Sequence, residues 1–70
     1  MSDKIQKLIV QAIRMLGTEK ALADAAGVSQ PVINKAKRLG QVGPRVAIGI
    51  DRATGGKISR RQLRPDLWET

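Results

Sequence analysis

Between Thr18 and Arg38 the chain reads TEKALADAAGVSQPVINKAKR, and no other stretch restricts its folding as tightly. Thr18 suits a helix N-cap, because its hydroxyl accepts a backbone N–H that the first turn leaves unpaired. Ala21, Leu22, Ala25 and Ala26 give the helix that follows an inward face of small residues, so a neighbouring helix can approach closely. Gly27 takes positive φ without a Cβ clash and turns the chain, and Val28 plugs the corner. Ser29 is placed to cap the next helix by accepting a backbone N–H. Pro31 falls in its first turn, where the missing N–H removes no hydrogen bond. Val32, Ile33, Ala36 and Leu39 then form one apolar arc. Gln30, Asn34 and Arg38, spaced i, i+4, i+8, line another arc, with Pro31 and Lys35 beside them. Two short helices, over about 18–26 and 30–39, joined by a glycine turn and carrying a polar, basic outer arc, make a helix-turn-helix. That unit sets its second helix into a DNA major groove.

The flanks supply what such a unit needs to fold. Ser2 to Leu16 carries Ile5, Leu8, Ile9, Ala12, Ile13 and Leu16 at i, i+3, i+4 steps, which predicts an amphipathic helix capped by Ser2 or Asp3 and ended at Gly17. Pro44 marks the start of a fourth helix that buries Val46, Ala47 and Ile50 and stops at Gly55-Gly56. A last short helix starts after Ser59, where Gln62 stands at the spacing of a capping box, and Pro65 ends it. Leu67 and Trp68 are left to dock on the bundle. Val42 to Ile50 is apolar enough for a strand, but Pro44 and Gly49 interrupt it. The expected fold is therefore all-α, five short helices around the helix-turn-helix, with residues 1–70 as one domain.

Charge points to the partner. Thirteen Lys and Arg oppose six Asp and Glu, and residues 35–64 carry nine of the cations against Asp51 alone. Such a field attracts polyanions, and it begins inside the second helix of the motif. The outer arc of that helix carries side chains suited to base edges. Gln30 and Asn34 can each make two hydrogen bonds to adenine, and Lys35 and Arg38 can donate to guanine or to phosphate. The ring of Pro31 can touch a thymine methyl group. Expected phosphate contacts are Thr18, through its backbone, Lys20, Lys37 and Arg45.

The residues GTEKALADAAGVSQPVI resemble the corresponding stretch of small, all-helical phage Cro repressors, and the tail ATGGKISRRQLRPDLW is similar to the C-terminal signature of YdaS-type regulators of bacterial prophages. Together they span roughly residues 16–68. The resemblance implies a sequence-specific DNA-binding repressor that acts on a palindromic operator as two copies. It places the base-contacting positions on Ser29, Gln30, Pro31, Asn34, Lys35 and Arg38. The chain departs from the family at two places. Ala36 stands where a Trp is common, a gap that Trp68 or Leu39 would fill. Glu19 stands where many relatives have a phosphate-contacting Gln, and its carboxylate suits the helix dipole but repels phosphate.

Other functions fit less well. With no His, Cys or Tyr and no GxxxxGK[ST] loop, the chain is not expected to be an enzyme, to bind a cofactor or to hold a metal. The ATGGK run at 53–57 reads as a helix stop rather than a phosphate loop. No apolar run approaches the length of a membrane span, and no signal peptide opens the chain, so a cytoplasmic protein is expected. The alternative function is an antitoxin or protein-interaction module that neutralises a partner toxin. No apolar stripe is obviously free for a dimer seam, so a weak or DNA-dependent homodimer, through helix 4 and the tail, is expected.

Overall fold

A computed structural model describes residues 3–68; of the two expected caps of the first helix, Ser2 lies outside them. Five helices follow in order: α1 (Asp3–Leu16), α2 (Glu19–Ala26), α3 (Gln30–Leu39), α4 (Pro44–Ala53) and α5 (Arg60–Leu63). Among the described residues no strand forms.

Local chemistry sets most of the boundaries. The Thr18 hydroxyl accepts from the Ala21 N–H at 3.0 Å and starts α2. Gly27 ends that helix at φ 75°, where a side chain would be strained. The capping box of α5 is complete: Ser59 accepts from the Gln62 N–H, and the Gln62 side chain accepts from the Ser59 N–H. Ser29 departs from expectation. It has the extended backbone of an N-cap, but its side chain makes no cap hydrogen bond, so Pro31 and tertiary packing start α3 without it.

The core gathers Ile9 and Ala12 of α1, Leu22 and Ala23 of α2, Ile33 and Ala36 of α3, and Val46, Ala47 and Ile50 of α4, closed at one end by Ile58 and Leu63. Two expected faces are corrected. In α2 the buried pair is Leu22 and Ala23; Ala25 is exposed, and Ala21 and Ala26 are half-buried. In α3 only Ile33 and Ala36 are buried, while Leu39 is half-buried and Val32 is 39% exposed. α3 packs on α1 and α2, and α2 docks closely on α4. Gly49 permits that docking, since a Cβ there would lie 2.5 Å from the Ala26 carbonyl oxygen and 2.9 Å from the Ala26 Cβ.

The C-terminal segment is fastened by polar bonds as well as by apolar docking. Thr54, buried at the end of α4, donates to the Ile50 carbonyl at 2.9 Å and accepts the Ile58 N–H at 3.0 Å. Asp51 accepts the Arg60 N–H at 2.9 Å and Arg60 Nε at 3.2 Å. These hydrogen bonds, the backbone N–H first, hold the Asp51 carboxyl below the ordinary 3.8. Arg60 also stacks over the half-buried ring of Trp68, 5.7 Å from its centre. The Trp does not fill the space beside Ala36, where a groove of about 390 Å³ stays open between Val32, Leu39, Val42 and Val46.

Candidate nucleic-acid interface

The outer side of α3 follows from its inner side. With Ile33 and Ala36 facing the core, a rotation of 3.6 residues per turn sends Pro31, Lys35 and Arg38 furthest outward. All three are exposed, as are Ser29 and Gln30 at the N-terminal end. The Gln30 amide, the Lys35 ammonium and the Ser29 hydroxyl have no partner among the described residues. Val32 and Leu39 flank this arc towards the start of α4, together with Lys35, Gly43 and Arg64. Asn34 flanks it on the other side, towards α2, where it meets Glu19, Gln30 and Pro31 in a shallow cleft.

Glu19 organises that cleft. One carboxylate oxygen accepts from Asn34 Nδ2 at 3.3 Å, and the other accepts from Lys37 Nζ. The Lys37 ammonium, chiefly through this hydrogen bond, holds the Glu19 carboxyl below the usual glutamate range against its partial desolvation. Asn34 Oδ1 in turn accepts from Arg38 Nε at 3.0 Å. The far end of α3 is tied to α1, because Gln6 Nε2 donates to the Arg38 carbonyl at 2.9 Å. That bond satisfies a carbonyl that the helix end leaves unpaired.

The expected phosphate contacts separate into three kinds. Thr18 and Lys20 stand at the exposed N-terminus of α2, beside the cleft. Lys20 pairs with Asp24 at 3.2 Å, but the two side chains are 72% and 69% exposed, so the pair is weak and the ammonium remains available. Lys37 is half-buried and already paired with Glu19. Arg45 lines a separate cleft with Ala26, Ile48, Gly49 and Arg52. The residues expected to contact bases thus lie on one surface together with Thr18 and Lys20. Lys37 is engaged beneath that surface, and Arg45 opens on another.

Two features of this surface escaped the sequence. Val32 follows the apolar rhythm of the inner arc yet is exposed on the outer surface, where a thymine methyl could meet it. The Glu19 bridge joins residues 15 and 18 positions apart, and no local pattern encodes it. Among the described residues no group of acidic, His or Cys side chains could hold a metal ion, and no helix is long and apolar enough to cross a membrane.

Comparison with known proteins agrees with this architecture. The family model described as bacterial toxin YdaS matches residues 9–70. Among solved structures, the chain is similar to the Cro protein of the prophage element Xfaso 1 in Xylella fastidiosa strain Ann-1. The two share 38% identity over 90% of this chain and 97% of that one, with a TM-score of 0.80. No curated protein matches. The chain belongs to the YdaS family and, with it, to the Cro-type helix-turn-helix regulators.

Proposed function

We propose that the chain is a sequence-specific regulator that binds double-stranded DNA, reading one operator half-site with α3 as a Cro-type repressor does. The observation that carries this is the exposed arc of Gln30, Pro31, Lys35 and Arg38, with the free N–H groups of the α2 N-terminus beside it. Helix N-termini and cations position a phosphate backbone, and amide and guanidinium groups read base edges. Ser29, Asn34 and Val32 border the reading arc, and Thr18 and Lys20 are the nearest phosphate contacts. Two copies on an inverted repeat would lie about 34–36 Å apart, one turn of the duplex, in a weak or DNA-dependent dimer. The role calls for no catalysis and places the protein on DNA in the cytoplasm. Selection from a random duplex pool tests it: an inverted repeat should emerge, bound with an affinity that falls by about 0.9 log units per log unit of salt for each phosphate neutralised. Recovery of no consensus and a flat salt response would reject it.

The family's description as a bacterial toxin is compatible with a second function, in which the chain is a protein-interaction module that works through a partner and not through DNA. Growth arrest on expression that persists in Gln30→Ala and Arg38→Ala variants would support it. Arrest abolished by both variants would tie the effect to DNA.

A further inference from the structure

The hydrogen bonds of α3 assign different work to Arg38, on the exposed arc, and Asn34, at its border. A carboxylate only accepts hydrogen bonds, and a guanidinium only donates them. Asn34 lies between one of each, so only one orientation of its amide satisfies both: Nδ2 towards Glu19 and Oδ1 towards Arg38. Its plane is thereby fixed along the α2–α3 cleft, on the half-buried flank of the helix. Arg38 is exposed, and only its Nε is engaged. The two terminal nitrogens of its guanidinium have no partner among the described residues. They form the planar fork that matches the O6 and N7 acceptors of guanine in the major groove.

Resting on the DNA-reading function proposed above, we infer that Glu19 and Asn34 are positioning residues that aim the Arg38 fork at a guanine. The specificity of this part of α3 is then for a G·C pair, delivered by Arg38, and Asn34 is not an independent reader of adenine. Glu19 takes part through its oxygen and not through its charge. Its second oxygen meanwhile keeps Lys37 from adding an unspecific phosphate contact.

The test is binding of full-length variants to duplexes that differ at each base pair of the selected half-site, together with the Arg38 Nε–H resonance of the free protein. Arg38→Lys, Asn34→Ala and Glu19→Ala should each weaken discrimination at the same G·C pair, by about tenfold. Asn34→Ala and Glu19→Ala should also move the Nε–H resonance. Glu19→Gln keeps an acceptor facing Asn34, so it should retain the preference and the resonance while binding every sequence more tightly. If Asn34→Ala instead erases preference at a different, adenine-containing pair, Asn34 reads on its own and the relay is wrong. Equal loss in Glu19→Ala and Glu19→Gln would also overturn it. Wild-type protein that discriminates no sequence would overturn the DNA-reading function itself. Wild-type discrimination left untouched by Asn34→Ala and Glu19→Ala would overturn the relay alone.

Discussion

The outer arc of α3 and the tail from α5 onward are both basic, yet they use their cations in opposite ways. On α3, Lys35 and the terminal nitrogens of Arg38 point to solvent without partners among the described residues. In the tail, Arg60 is held by Asp51 and the Trp68 ring. Arg64 there donates to Asp66 at 2.7 Å and to the Val42 carbonyl at 2.9 Å. Arg60 and Arg64 are therefore fasteners: the first ties α5 to α4, and the second ties the C-terminal segment to the loop between α3 and α4. A count of charges along residues 35–64 merges the two uses, and only the partners of each guanidinium separate them.

The contrast can be broken at several depths. The largest effect should come from beneath the exposed arc of α3. Ile33 is fully buried under it, and Ile33→Ala should cost about 2–5 kcal/mol in urea unfolding, enough to threaten a domain of this size. A loss below about 1 kcal/mol would mean that α3 is not seated as described. Gly49→Ala follows, at about 1–3 kcal/mol, because the new methyl group meets the Ala26 backbone and forces α2 and α4 apart.

Asp51→Ala should cost about 1 kcal/mol, the order of a lost helix cap, with duplex binding unchanged once the protein is folded. Its pH dependence has a definite sign. The folded-state pKa lies below the ordinary 3.8, so the unfolded chain takes up the proton first on acidification. The stabilisation is complete well above 3.8 and is lost as pH falls through the lower, folded value. Thermal melts of Asp51→Ala should accordingly decline less than wild type below pH 3.8. Equal declines would remove Asp51 from the tail's fastening. The smallest structural effect belongs to Lys20→Ala, within about 0.5 kcal/mol of wild type. That variant should still bind every duplex more weakly, with a salt slope shallower by about 0.9. An unchanged slope would exclude Lys20 as a phosphate contact.

What was legible in the sequence is what short-range chemistry decides. Thr18, Gly27 and the Ser59–Gln62 pair mark helix ends because each acts on backbone within a few residues of itself. The choice among Ala21, Ala23 and Ala25 was not legible, since equal side chains give periodicity nothing to rank; docking on α4 decided it. Val32 was assigned inward for its apolarity, but its position on the helix exposes it. The exposure of Gln30, Pro31, Lys35 and Arg38 on α3 was visible residue by residue. The wiring behind that arc was not, because Glu19 reaches Asn34 and Lys37 only after α2 and α3 have packed.

The most direct test of the account is amide chemical-shift mapping of the labelled protein titrated with its selected duplex. Shifts should concentrate at Thr18–Lys20 and Ser29–Arg38 and leave the Arg60–Arg64 segment nearly still. Shifts centred on that segment, or on the outer face of α1, would contradict the assignment of α3 as the helix that meets DNA.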